Sequence, residues 1–181
     1  MKIKIIKDSN PLMRKRSLPV EMPLSKKDKE TLDAMLDYLK KSQDEEYAKR
    51  HHIRAGVGLA AIQIGLLKRM FVVYMQDGEG KEIAYQLVNP QIVESSVKKA
   101  ALQGGEGCLS VDNQHDGLVH RSYKIRIKAY DALVGQDVEI VAKGYEAIVL
   151  QHEYDHLNGM FFYDRIDKMH PDQPYPGEEL I

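Results

Sequence analysis

The sequence predicts an α+β fold in which antiparallel or mixed β-sheets pack around a central buried helix, with a further helix near the N-terminus. Two observations support this fold class. The middle of the chain holds short β-branched segments separated by glycine-containing turns, and helical patterns occur only before and after them. Because the chain has 181 residues and is 43% hydrophobic, we expect a single domain spanning residues 1–181.

The N-terminal region predicts an arm followed by helices. Residues 1–24 contain three prolines, which favours an irregular arm. The segment Ser25-Lys26-Lys27-Asp28 is a capping-box pattern and predicts the start of a helix. The apolar residues that share one stripe of this helix are Leu32, Met35, Leu36 and Leu39. The polar segment 42–50 predicts a second, shorter helical element.

The remainder of the chain predicts strands and one late helix. The predicted strands share β-branched or alternating apolar residues, and they span 70–75, 83–88, 123–129 and 138–142. Residues 145–158 lack glycine and proline and stop at Asn158-Gly159, so they predict a helix that is apolar nearly all round. Residues 171–177 contain three prolines and predict an extended tail.

Composition excludes several classes of protein. The chain has 26 basic and 27 acidic residues, and this balance argues against general binding to DNA or to a membrane surface. The single cysteine, Cys108, cannot form an internal disulfide and fits a reducing compartment. No apolar segment follows the N-terminal lysines as in a signal peptide, and none reaches the roughly 18 residues of a membrane span. We therefore expect a cytoplasmic protein that binds neither DNA nor membranes.

The late helix contains an HExxH sequence that begins at His152. At about 100° per residue, His156 lies about 40° around the axis from His152 and one turn along, so both imidazoles can reach one metal ion. Glu153 lies on the same side, within reach of a water held by that ion. Chance alone places such a pentad in this chain at roughly 2%, so a pair of satisfied core histidines is the alternative interpretation. The apolar surroundings favour the metal site because buried polar groups need partners.

A catalytic ion usually has three protein ligands and one open position, so a third ligand is required. Downstream, the position of a metzincin's third histidine is Phe162. Upstream, Cys108 lies in the glycine-rich segment 103–110, which also contains Glu106. A lone cysteine is usually a small buried hydrophobe, but the glycines remove its packing partners. As a thiolate, Cys108 would complete a Cys/His/His set.

A second glycine-containing segment spans residues 56–63. It lacks the ending and the spacing of a phosphate-binding loop. It fits either a tight turn that enters a buried element or an edge that offers backbone hydrogen bonds to an extended peptide. Gln63 is polar in an otherwise apolar run, which makes it a candidate donor to a developing oxyanion.

In this order and at these separations, the segments GxGLAAxQ, EGCLS and QHExDHLNG resemble the bacterial peptide deformylase family, in the class typical of Gram-positive lineages. The resemblance covers nearly the whole chain. The metal ligands that it implies are Cys108, His152 and His156. The catalytic groups that it implies are Glu153 as general base, with Gln63 and the backbone N–H of Leu109 as oxyanion donors.

The resemblance also implies an activity. The expected reaction is hydrolytic removal of the formyl group from the N-terminal formyl-methionine of newly made proteins, which gives formate and a free amine. The resemblance implies Fe²⁺ as the usual cellular ion, with Zn²⁺, Ni²⁺ or Co²⁺ able to replace it. The implied partners are N-formylmethionyl nascent peptides and, transiently, the ribosome. The short tail differs from the class that has a long C-terminal helix.

A side-chain pocket is expected beside the ion. Three residues share the ligand face of the helix one and two turns before His152. With the residues that the family match adds, the expected substrate-binding set is Val57, Gly58, Glu106, Tyr145, Ile148 and Val149. Such a pocket suits an unbranched thioether, whereas the alternative is that the helix residues simply pack against the sheet.

Further alternatives remain open from the residues alone. Asp155 is hypothesised to pair with Arg121 and so to orient the site, although solvent or local backbone would satisfy it equally well. A zinc endopeptidase would use the same HExxH helix to cut internal peptide bonds. A non-catalytic Cys/His metal module would close the fourth ligand position, for which Glu106 is the spare candidate.

Overall fold

The computed structural model describes residues 2–181, which form three α-helices and eight strands. The helices are α1 (Lys26–Ser42), α2 (Glu45–His51) and α3 (Gly144–His156). The strands are β1 (Gly58–Ala60), β2 (Met70–Gln76), β3 (Glu82–Ser95), β4 (Lys99–Ala101), β5 (Arg121–Ser122), β6 (Lys124–Asp131), β7 (Gln136–Lys143) and β8 (Glu179–Leu180). The predicted mixed α+β fold with antiparallel sheets is confirmed. No helix of the described residues is both long enough and apolar enough to span a membrane.

The strands form two sheets. The larger sheet has the order β1-β2-β3-β6-β7, and every neighbouring pair is antiparallel. The smaller sheet has the order β5-β4-β8, in which β8 runs parallel to β4. β3 continues seven residues beyond the predicted end at Val88, and its register with β6 shifts between Val88 and Gln91. This irregularity accommodates Pro90, which has no N–H to donate to a regular ladder.

The larger sheet is covered on both faces, and β2 shows why its sequence is apolar without interruption. Phe71 and Val73 belong to the core cluster that contains Leu150 of α3. Met70 and Val72 point the other way and belong to the cluster that contains the apolar stripe of α1. Because side chains alternate between the two faces of a strand, a strand buried on both faces needs apolar residues at every position.

The helices at the N-terminus agree with their sequence signals. The side chain of Ser25 accepts a hydrogen bond from the backbone N–H of Asp28, as the capping pattern predicts. The stripe residues of α1 are buried against the larger sheet. The predicted arm contains one short 3-10 turn, Pro11–Arg14.

α3 ends at His156, two residues before the predicted end at Asn158. Gly159 then adopts a left-handed conformation with φ of 73°. A Cβ atom at this position would lie 2.4 Å from the backbone oxygen of Arg14, so both the dihedral and the close approach of the N-terminal arm require glycine. The helix therefore ends where the arm crosses it.

The C-terminal tail is part of the smaller sheet. β8 pairs with β4 through Ala100 and Glu179, and Glu178 accepts a hydrogen bond from the buried ring of His120 at 2.8 Å from Nδ1. The strands that the sequence did not predict are β1, β4, β5 and β8. Each has only two or three residues, which is too few for an alternating pattern to appear.

Candidate active site

A cavity of about 330 Å³ opens beside α3. Its walls are the segment that leads into β1, the loop 102–109 and one face of α3. All of the site residues expected from the sequence line this cavity except His156, which is 1% exposed and lies behind it. The fold therefore brings the three glycine and histidine segments, which are far apart in sequence, to one place.

Three possible metal donors meet beside the cavity. The donor atoms of Cys108, His152 and His156 all lie within 4.8 Å of one another, and the Cys108 Sγ is 3.3 Å from the His156 Nε2. Within residues 2–181, these are the three His, Cys, Asp or Glu side chains that lie close enough together to share one ion. Thiolate and imidazole ligands suit iron and zinc alike, and a set of three leaves one position for another ligand. The chemistry of the donor set thus fits a divalent transition-metal ion.

Glu153 lies beside this donor set and is buried without a partner for one of its oxygens. The side chain is 3% exposed, and no hydrogen bond within the described residues reaches its Oε2. Burial raises the pKa of Glu153 to about 7, against the lowering effect of the charges on His152 and Arg121. A buried carboxyl that is unpartnered at a cavity wall is a candidate for proton transfer.

Position 58 requires glycine because the Glu153 carboxylate fills the space that a side chain would need. A Cβ atom on Gly58 would lie 2.2 Å from the Glu153 Oε1, so any side chain here would displace the carboxylate. The backbone N–H of Tyr74 in β2 donates to the oxygen of Val57, and Gly58 is in register with Val73. Because backbone groups alternate in direction along an antiparallel strand, those of Gly58 point away from β2 and towards the cavity.

The Gln63 side chain is held in a fixed orientation. Its Oε1 accepts from the backbone N–H of Ala60 at 2.8 Å. Its Nε2 donates to the hydroxyl of Ser110 at 3.1 Å and lies 3.5 Å from the Cys108 Sγ. The amide N–H₂ group is therefore directed to the side of the cavity where Cys108 and Leu109 lie.

The residues expected to form a side-chain pocket line one end of the cavity together with Leu102. Ile148 and Val149 are buried, at 2% and 5% exposure, whereas Tyr145 is 39% exposed and lies at the rim. Val57, which also lines the cavity, packs against the core cluster that contains Val149. This end of the cavity is apolar.

A buried charge cluster stands behind the histidines. Glu106 accepts hydrogen bonds from Nε and Nη2 of Arg121 at 2.5 and 2.9 Å, and its Oε2 lies 2.7 Å from the His152 Nδ1. Arg121 also donates from Nη1 to Asp155 at 2.9 Å, so the pair hypothesised from the sequence is present. Arg165 completes the cluster with two hydrogen bonds to Asp155, each 2.6 Å.

The charges in this cluster compensate one another. Burial alone would raise the pKa of Glu106, but the hydrogen bonds from Arg121 and His152 lower it to about 2. Sequence reasoning did not identify Arg165 or the contact between Glu106 and His152. Glu106 was expected from the sequence only as a substrate-binding residue or as a spare metal ligand, and Arg165 lies in a run of mixed polar and aromatic residues that carries no signal of its own.

The geometry defines a class of protein. A Cys/His/His donor set, an unpartnered buried carboxyl beside it and a strand edge that faces the same cavity are the parts of a metal-dependent hydrolase that acts on extended peptides.

Comparisons with known proteins give the family. The sequence model of the polypeptide deformylase family matches residues 2–172. A peptide deformylase of Staphylococcus epidermidis is 54% identical over 178 residues, which are 98% of this chain and 96% of that protein. Peptide deformylase 2 of Bacillus subtilis is 47% identical over 167 residues, which are 92% of this chain and 90% of that protein. The chain belongs to the peptide deformylase family.

Solved structures agree in fold. The peptide deformylase of Thermotoga maritima superposes with a TM-score of 0.70 at 33% identity, over 92% of this chain and 99% of that one. A class I type b peptide deformylase of Acinetobacter baumannii, crystallised with Met-Ala-Ser bound, gives a TM-score of 0.72 at 30% identity, with coverage of 92% and 99%. The expected resemblance to deformylases of Gram-positive lineages is confirmed by the two relatives of Staphylococcus and Bacillus.

Proposed function

We propose that Cys108, His152 and His156 hold the ion with which this enzyme works. As a member of its family the chain is a metal-dependent hydrolase that removes the N-formyl group from the formyl-methionine of newly made proteins. One observation supports the assignment of the site most strongly. The three donor atoms lie within 4.8 Å of one another, and the unpartnered carboxyl of Glu153 stands beside them in a cavity open to solvent.

Fe²⁺ is the ion that we assign in the cell, with Zn²⁺, Ni²⁺ or Co²⁺ able to replace it. When bound, such a cation supplies Lewis-acid polarisation and lowers the pKa of water. As a metal ligand, His152 would be a neutral imidazole whose Nδ1–H donates to the carboxylate of Glu106; this contact fixes the ring orientation and would leave Nε2 for the ion. The Cys108 thiolate adds the anionic ligand of the set.

Glu153 is the general base in this proposal. Its carboxylate takes the proton from the attacking water and then delivers that proton to the nitrogen of the leaving amine. Its burial beside the donor set, with no hydrogen bond to Oε2, leaves the carboxyl available for both transfers. The absence of a side chain at Gly58 leaves room for this carboxyl at the cavity wall.

Gln63 and Leu109 stabilise the oxyanion that forms at the formyl group. The Gln63 amide is preorganised by its bonds to Ala60 and Ser110, so it donates without reorientation. The backbone N–H of Leu109 is the second donor. The cavity-facing backbone of Gly58 pairs with the backbone of the substrate's first residue.

The methionine side chain of the substrate occupies the apolar end of the cavity. Val57, Ile148 and Val149 form its walls, Tyr145 forms its rim, and the aliphatic part of Glu106 completes it. An unbranched thioether adapts to such a slot, and its burial stabilises the complex by roughly 1.5–3 kcal/mol.

The proposal also covers the domain organisation, the cellular location and the partners of the enzyme. Residues 1–181 act as one catalytic domain whose central element is α3 with its HExxH sequence. The protein works in the cytoplasm on N-formylmethionyl nascent peptides, in transient contact with the ribosome.

Release of formate from formyl-Met-Ala-Ser by anaerobically purified protein tests this function, with metal content measured on the same sample. We expect formate and free Met-Ala-Ser in equal amounts, no cleavage of internal peptide bonds, and loss of activity when a chelator removes the ion. Cleavage of internal bonds would indicate an endopeptidase. A bound ion without formate release would indicate a non-catalytic metal module.

A further inference from the structure

Arg54 bridges the two walls of the cavity at its outer end. Its Nη2 donates to three carbonyl oxygens of the opposite loop, those of Cys108, Leu109 and Val111, at 2.9, 3.0 and 3.0 Å. The side chain is 52% exposed, and within the described residues its Nε and Nη1 groups donate to no protein acceptor. A guanidinium has five N–H donors, so this one is fixed in position and still has donors to offer.

The charge at this end of the cavity is positive. Among the described residues that line the cavity, Arg54 is the single lysine or arginine. Asp112 lies 3.3 Å from Arg54, but it is also bonded to Lys7 at 2.8 Å, which leaves an excess of one positive charge among the three.

The backbone at the start of β1 and just before it limits how far a bound peptide can pair along this wall. Gly58 faces the cavity, but two residues earlier both backbone groups of Gly56 are already used: its N–H donates to the Ser42 hydroxyl, and its oxygen accepts from Gln43. Pairing with a peptide therefore stops near Gly56. We take a peptide whose first residue pairs with Gly58 to continue past Gly56 towards Arg54, with an advance of about 3.3 Å per extended residue.

We propose that Arg54 is a specificity-determining residue that favours an anionic over a cationic side chain at the third residue of the formylated peptide. The inference rests on the proposed function, because it assumes that the first residue binds beside Cys108 and Glu153. The interaction is electrostatic and partly exposed, so it changes relative rates by a small factor and is weakened by salt.

The test compares formyl-Met-Ala-Glu, formyl-Met-Ala-Gln and formyl-Met-Ala-Lys, each with a C-terminal amide so that no terminal carboxylate supplies the anion. At about 20 mM salt we expect kcat/KM for the Glu peptide to exceed that for the Lys peptide by about 3–5-fold, with the Gln peptide between them. At about 500 mM salt the ratio should approach one. A ratio of one at low salt, or a ratio that does not respond to salt, would overturn the proposal.

Variants separate charge selection from a merely structural role of Arg54. Arg54→Gln should abolish the Glu-to-Lys ratio and Arg54→Lys should retain it, whereas a structural role would lower the rates of all three peptides equally. Arg50→Gln, on the exposed side of α2, is the matched control and should leave the ratio unchanged. An unchanged ratio in Arg54→Gln would overturn the proposal.

Equilibrium binding gives a readout that does not depend on turnover. In the Glu153→Gln background, calorimetry should show the same 3–5-fold preference for the Glu peptide, and adding Arg54→Gln should remove it. Equal Kd values would contradict the inference. If none of the peptides releases formate in the unmodified enzyme, the proposed function itself fails; if all release it at equal rates, only the role of Arg54 fails.

Discussion

Two clusters of charged residues in this protein use the same kinds of ion pair in opposite surroundings. The buried charge cluster consists of Glu106, Arg121, Asp155 and Arg165. The surface charge ladder crosses β3, β6 and β7 of the larger sheet and consists of Glu94, Arg126, Lys128 and Glu139. Side chains of the first three members of the buried cluster are 5% exposed or less, whereas those of the ladder are 38% to 60% exposed.

The distances in the two groups are similar. Arg121 bonds Glu106 and Asp155 at 2.5 to 2.9 Å, and Arg126 bonds Glu94 and Glu139 at 2.8 and 2.6 Å. The two groups differ in how much stability is lost when one partner of an ion pair is removed. In the ladder, water replaces a lost partner, so each pair contributes little. In the buried cluster, removal of a partner leaves a charge without solvent, and one of these charges, on Glu106, is hydrogen-bonded to His152, which we propose as a metal ligand. We therefore expect burial, rather than the length of the hydrogen bonds, to determine which ion pairs stabilise the site.

The largest effect that this comparison predicts is on stability. Arg121→Met should lower the free energy of unfolding by about 3–5 kcal/mol, because Glu106 loses both guanidinium bonds while buried. The matched change Arg126→Met should leave Tm within about 2 °C of the unmodified protein. Chemical and thermal denaturation of the two variants check this. Equal destabilisation by the two changes would contradict the role given to burial.

A second variant separates the effect of the positive charge from that of the guanidinium geometry. Arg121→Lys keeps the positive charge but cannot hold Glu106 and Asp155 at once with a planar fork. We expect it to recover only part of the stability that Arg121→Met loses. Full recovery would show that charge alone, without the fork geometry, accounts for the cluster.

A smaller effect is expected on metal affinity. Glu106→Gln preserves the size of the side chain but removes the carboxylate that holds the Nδ1 of His152, so affinity for the ion should fall by about 10–100-fold. Competition with a chelator of known affinity measures this change. Glu94→Gln in the surface ladder is the control and should not alter affinity. An unchanged affinity in Glu106→Gln would show that Glu106 does not orient the ligand.

The smallest predicted effect is on side-chain selectivity. Ile148→Trp fills the apolar end of the cavity, where Ile148 is 2% exposed, and should erase much of an expected preference of at least ~10-fold for formyl-Met over formyl-Ala peptides. Steady-state kinetics with both peptides check the ratio. A ratio that Ile148→Trp leaves untouched would place the methionine side chain elsewhere.

The sequence alone predicted those parts of the molecule that have a local signature. The capping box predicted the start of α1, and the alternation of residues 123–129 predicted β6. The spacing of His152 and His156 predicted that both rings lie on one face of a helix, and in the structure their centroids are 4.9 Å apart. In each case the residues that interact are within one or two turns or strand repeats of each other.

The sequence could not predict features that depend on long-range contacts. β8 pairs with a strand almost 80 residues earlier, and its two residues carry no periodic pattern. The bonds from Arg165 to Asp155 and from Arg54 to the Cys108 loop join residues whose types are ordinary for a solvated surface. Only the fold reveals that Asp155 is buried and that Arg54 lines a cavity.

The central claim is that Glu153 transfers the proton at a site whose ion is held by Cys108, His152 and His156. Turnover of formyl-Met-Ala-Ser by metal-loaded Glu153→Gln, with ion content measured on the same sample, tests it most directly. Glu146→Gln, on the same helix but bonded to Tyr85 outside the cavity, is the matched control. The account predicts unchanged ion content and formate release reduced by about 10²–10⁴-fold in Glu153→Gln, with near-normal release in the control. Full turnover by metal-loaded Glu153→Gln would contradict it.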